Sequence, residues 1–132
     1  MKTQLIEYGR RGLKLDFPVI DVHAHIGDFG SIVCPSLDVQ VMEMESIGIK
    51  AAIVSSVDGI LGDCYTGNSN VASAVKKFHG RIYGYCHVSG QYPEEIEPEL
   101  DRCFRNKGFI GIKVYQAGTN FDDPVYAPVW KF

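Results

Sequence analysis

Four short apolar runs recur along this chain at intervals of roughly 30 residues, beginning near Val19, Ala51, Arg81 and Phe109, and that spacing constrains the fold most. The runs are FPVIDVHAH (17–25), AAIVSSV (51–57), RIYGYCHVS (81–89) and FIGIKVY (109–115). Continuous apolar segments of this length, rich in β-branched and aromatic residues, predict strands buried on both faces rather than strands washed by solvent. Helical spacing fills the intervals. Leu37, Val41, Met44 and Ile47 follow a cap at Ser36 or Asp38 and run to Gly48. Val71, Ala74, Val75 and Phe78 mark a second helix, capped by Asn68 and ending at Gly80 with Lys76, Lys77 and His79 in its last turn, where the helix dipole favours cations. Ile96, Leu100, Cys103 and Phe104 form the buried stripe of a third, which stops at Gly108. Pro98 is tolerated only in a first turn, so the regular part of this helix is expected to begin near Glu97. DDPVYAPVWKF reads as a cap followed by the first turns of a fourth helix.

Strand followed by helix, four times, calls for a parallel sheet with right-handed crossovers. The fold class is therefore α/β, with residues 1–132 in a single domain and no linker interrupting it. DGILGDCYTGNSN, after the second strand, is rich in Gly, Asp and Asn and is expected to be a long loop; its Asp58 and Tyr65 are candidates to line a substrate mouth.

Composition narrows the partners. At 45% hydrophobic and 22% charged, the chain has a globular profile. A net charge of −3 with scattered Lys and Arg leaves no basic stripe to follow a phosphate backbone, so nucleic acid is not an expected partner. No apolar run reaches the roughly 18 residues of a membrane span, and the opening MKTQLIEYGRRG lacks the apolar core of a signal peptide. A cytoplasmic protein is expected. Cys34, Cys64, Cys86 and Cys103 form no CxxC and no dense framework, which predicts reduced, packing thiols.

The chemistry concentrates in VIDVHAHIG. Side chains two apart on a strand share a face, with Cα atoms about 6.6–6.8 Å apart, so His23 and His25 are able to turn toward one divalent ion. They stand at the carboxyl end of the first strand, where βα folds place their chemistry. Asp21 precedes them on the same face and is suited to orient an imidazole by a hydrogen bond. His87 lies near the end of the third strand, either as a substrate-binding residue or in packing. His79, at a helix end, is remote from the strand mouths.

IDVHAHIG followed by AAIVSSV, RIYGYCHVS, GIKVY and DDPVYAPVW resembles the amidohydrolase superfamily, in particular the amidohydrolase-related TIM-barrel group that also holds aromatic-acid decarboxylases. The resemblance runs from Pro18 to Trp130, and the HxH motif is its most specific element. It implies a (β/α)8 barrel of which this chain supplies about the first four βα units, the N-terminal half of a metal-dependent hydrolase domain. It also implies a divalent metal, zinc first among the choices, held by His23 and His25 and completed by residues of strands five, six and eight. The general acid or base, an aspartate of the eighth strand, is expected beyond Phe132. The reaction implied is attack of a metal-activated water on an amide, ester or lactone carbon of a small-molecule substrate, with decarboxylation as a variant. Lys113 occupies the strand from which some relatives take a metal-bridging lysine, a role that the mononuclear group does not give to a lysine in a GIK sequence.

Two other readings follow from the same residues. A full barrel takes about 250 residues, so a catalytically incomplete half-barrel acting through self-association or a partner is the first; unpaired edges of a half-sheet favour pairing, and a homo-oligomer is expected. The second is a TatD-type or PHP-type phosphoesterase barrel, for which the strand ends carry little Arg, Lys or Ser.

Overall fold

The computed structural model describes residues 2–115 and 118–132. Its strands are β1 (Val19–Ile26), β2 (Ile49–Ser56), β3 (Ile82–Val88) and β4 (Phe109–Val114), all parallel in the order β1-β2-β3-β4. The order follows the chain because each strand is returned by a helix that packs back on the same face of the sheet. The helices are α1 (Lys2–Arg11), α2 (Leu37–Ile47), α3 (Val57–Ile60), α4 (Cys64–Lys77), α5 (Pro93–Phe104) and α6 (Ala127–Lys131). A single 3₁₀ turn, Pro124–Tyr126, leads into α6 and is capped by Asp123, whose carboxylate accepts the Val125 N–H. Helix α1 precedes the first predicted strand and was not foreseen from the sequence.

One face of the sheet is sealed. Ala52 and Val54 of β2 and Cys86 and Val88 of β3 lie in one core cluster with Val71, Ala74 and Val75 of α4 and Ile96, Leu100 and Cys103 of α5. Ala24 of β1 and Ile112 and Val114 of β4 pack against the same cluster. Residues of opposite parity, among them His25, Ser55, Tyr85, His87 and Lys113, therefore belong to the other face, which becomes the concave one.

Helix α2 begins and ends as its sequence predicts: the Ser36 hydroxyl accepts the Val39 N–H, and Gly48 closes the helix at φ 88°, a left-handed conformation in which glycine pays no Cβ penalty. Three expectations are corrected. The stretch after β2 is not a long loop, because α3 follows directly and Asp63 caps α4 through the Thr66 N–H. Asn68 is consequently not a cap but a buried residue in the second turn of α4. Helix α5 starts at Pro93 and carries Pro98 in its interior. Pro98 lies five residues past Pro93, and its missing N–H forfeits the bond to the Glu94 carbonyl in the first turn.

Asn68 instead clamps β3. Its amide oxygen accepts the His87 N–H at 2.7 Å, and its nitrogen donates to the His87 carbonyl at 2.9 Å and to the Glu99 carboxylate at 2.7 Å. Glu99 is itself buried and takes both arms of the Arg102 guanidinium at 2.7 Å, which supplies the countercharge that a buried carboxylate needs. The cysteines are free thiols, with Cys64, Cys86 and Cys103 buried. Burial pushes the Cys64 thiol up to about 12, and a hydrogen bond with Cys103, together with burial, raises that of Cys86, so both act as small apolar residues.

Close packing between α4 and the strand beginnings leaves no room at Gly108: a Cβ there would stand 1.9 Å from Val75 Cγ1. Gly108→Ala is expected to destabilise the chain by about 1–3 kcal/mol, the scale of core overpacking, read as a lower urea midpoint at unchanged m-value.

Candidate metal centre

The first strand departs from ideal pairing where its histidines stand. Asp21 pairs with Ala52 and Ala24 with Val54, so three steps along β1 match two along β2, a bulge across Val22 and His23. The bulge takes the His23 N–H out of the ladder, and the Asp21 carboxylate accepts it at 2.9 Å. Asp21 thus holds the backbone of His23 rather than an imidazole. The Val22 carbonyl accepts instead from the Tyr85 hydroxyl, which reaches across from β3 at 3.2 Å.

Both histidines meet on the concave face, as the HxH spacing predicts. Their ring centroids are 5.1 Å apart in an edge-to-face arrangement. His25 Nδ1 lies 3.1 Å from Ser55 Oγ of β2, which fixes the ring and leaves Nε2 for another partner. His23 Nε2 accepts from the Lys113 ammonium of β4 at 3.1 Å. Gly27, at φ 94°, turns the chain immediately past β1, and the Phe29 ring stands 6.0 Å from that of His25.

His87 is the buried member of the group, 1% exposed, with its backbone clamped by Asn68 and its Nδ1 without a partner. Gly59 makes this possible, since a Cβ there would fall 2.8 Å from that nitrogen. Burial, with the charges of Lys113 and His25, lowers the imidazole to about 4, and burial, with His23 and Lys113, also lowers His25. Both rings are therefore neutral at pH 7, the form in which imidazole binds a metal. Next to His87 is a cavity of about 260 Å³, lined also by Leu61, Ser89, Gln91 and Tyr115.

The remaining predicted site residues divide. Asp58 sits in the first turn of α3, just past β2, where its carboxylate accepts from the Ser56 hydroxyl and the Asn70 amide. Tyr65 is drawn away from the histidines, its ring 4.3 Å beneath the Arg102 guanidinium of α5. His79 is exposed beyond the end of α4, at the opposite end of β3 from His87. Among the described residues no three His, Cys, Asp or Glu side chains come close enough to hold an ion, so the chain contributes a pair of imidazoles rather than a closed site. Sequence reasoning missed Ser55 and Tyr85, which no local pattern marks; only the strand register brings them to β1.

No family model matches the sequence. Solved structures do match the fold. The 5-carboxyvanillate decarboxylase of Novosphingobium aromaticivorans, complexed with manganese and a nitrobenzoic acid, aligns with 88% of this chain and 47% of its own at a TM-score of 0.65 and 20% identity. The 2,6-dihydroxybenzoate decarboxylase of Rhizobium aligns with 86% of this chain and 45% of its own at 0.64 and 20% identity. The fold is about half of a (β/α)8 barrel, like the corresponding part of these structures. A Staphylococcus aureus protein provisionally described as an amidohydrolase gives 0.68 at 20% identity, over 87% of this chain and 43% of its own. The chain spans less than half the length of these structures. No helix among the described residues is long and apolar enough to cross a membrane.

Removing the Ser55 hydroxyl should loosen His25 and weaken binding of a divalent ion by about 10–100-fold, the usual effect of losing a partner that orients a ligand; titration of Ser55→Ala against Mn²⁺ and Zn²⁺ checks this. A second expectation concerns acid. Because the unfolded chain binds a proton at His87 near pH 6.5 and the folded one only near 4, stability is intact above pH 6.5 and falls as pH drops toward 4. His87→Gln should flatten this part of the stability curve, measured by urea unfolding between pH 7 and pH 4.

Proposed function

We propose that this chain supplies the metal-holding half of a divalent-metal enzyme of the amidohydrolase superfamily, and that the enzyme acts on a small organic acid by decarboxylation. The observation that carries this reading is the His23–His25 pair, set edge to face at the carboxyl end of β1 with His25 oriented by Ser55. Imidazole nitrogens fit a divalent ion, with His25 Nε2 free and His23 Nε2 held by Lys113 until an ion takes its place, so the donor set agrees with the manganese found in neighbours of the same fold. His23 and His25 would hold the ion, and such an ion supplies Lewis-acid stabilisation of negative charge developing on the substrate.

Ser55 and Asp21 hold the two histidines in place, one through its ring and the other through its backbone. The clamp of Asn68 on His87 keeps the end of β3 from shifting. The cavity beside His87 gives a small molecule room at the strand ends. Decarboxylation is preferred to hydrolysis because the neighbours with a stated activity are decarboxylases. Hydrolysis of an amide, ester or lactone is the second reading, favoured by the likeness to the Staphylococcus aureus protein. Unpaired edges on β1 and β4 support association with another copy or chain.

The test is the metal content of the purified full chain, read by mass spectrometry after incubation with Mn²⁺ or Zn²⁺. Metal should be retained by the wild type and lost from both His23→Ala and His25→Ala. Retention at the wild-type level in both variants overturns the reading.

A further inference from the structure

We propose that Lys113 anchors the carboxylate of an acidic substrate beside the histidine pair. The proposal deepens the reading above, on which it rests only for the position of the reacting centre. Lys113 lies on the concave face of β4, half-buried, with its ammonium 3.1 Å from His23 Nε2. His87, its register partner on β3, and His25 also lie within reach of its charge. These neighbours are imidazoles, which at neutral pH bring no negative charge.

Among the described residues no carboxylate answers it. The ion pairs among the described residues join Lys77 to Asp38, Arg81 to Glu45 and Arg102 to Glu99, each with a carboxylate on a helix. Asp21 accepts the His23 N–H and Asp58 accepts from Ser56 and Asn70. An ammonium that has lost part of its hydration without gaining an anion is costly, and an incoming carboxylate removes that cost. The unpartnered, buried Nδ1 of His87 and the adjoining cavity, whose lining includes Tyr115 two residues past Lys113, give the rest of the molecule a place to lie. One lysine without a neighbouring arginine suits a monoanion. A phosphate dianion would call for more positive charge than this face holds.

The experiment titrates the metal-free full chain with benzoate, benzamide and inorganic phosphate, following amide shifts by NMR. Wild type is expected to prefer benzoate to benzamide. Lys113→Gln should weaken benzoate by about tenfold, the scale of one lost charge-assisted hydrogen bond, and leave benzamide unchanged. Lys113→Arg should keep benzoate within about threefold, because the charge remains. Equal binding of benzoate and benzamide by wild type, undiminished benzoate binding by Lys113→Gln, or phosphate binding as tight as benzoate would each overturn the assignment. Dispersed amide spectra of both variants establish that they fold, and the wild-type preference for benzoate over benzamide, which needs no variant, still tests the assignment if Lys113→Gln does not. Since metal is absent throughout, a negative result leaves the His23–His25 metal reading standing, and loss of that reading leaves this one.

Discussion

Parallel pairing is the constraint on which the rest of the structure depends. Neighbouring parallel strands must each be returned by a crossover, and here the crossovers α2, α4 and α5 lie against one face of the sheet. Apolar residues of one parity are consumed in covering that face. Residues of the other parity are left to the concave side, where β1 to β4 deliver His23, His25, Ser55, Tyr85, His87 and Lys113 near their carboxyl ends. The site is therefore a by-product of how the core is sealed, and the bulge in β1 adjusts it by releasing one N–H to Asp21 and one carbonyl to Tyr85.

Polar groups are placed by two different rules. Behind the sheet, Asn68, Glu99 and Arg102 form a buried network in which donors meet acceptors and the carboxylate has its guanidinium. Such a network holds the end of β3 rigidly, because breaking any member strands its partners away from water. On the concave face the balance is left open. Among the described residues Lys113 has histidines but no anion around it, and His87 keeps a nitrogen without a partner. Incomplete satisfaction of this kind is expensive to a fold and is found where a ligand completes it.

The strands, α2 and the histidine pair were legible in the sequence because each is specified by near neighbours: apolar runs, a serine cap with a terminal glycine, and an alternation that puts residues two apart together. The segment after β2 was not. Its glycines and aspartates suggest a loop by composition, yet Ser56 and Asp63 each cap a helix there, and Gly67 packs against Gly59 so closely that a Cβ would fall 2.7 Å from the Gly59 nitrogen. Tight helix packing used the glycines that a sequence reading assigns to turns. Tyr65 was misplaced for the same reason, since its position in α4 turns it to Arg102 rather than to the strand mouths.

By itself the sequence determined the alternation of strands and helices and the position of two neighbouring histidines near the end of the first strand, since periodicity is a local property. Only the tertiary structure decided that Ser55 orients His25, that Asn68 is a buried clamp on His87, and that Lys113 stands against His23 from 90 residues away. Those contacts join different strands and helices, and their partners are chosen by register and crossover packing, which no stretch of neighbouring residues encodes alone.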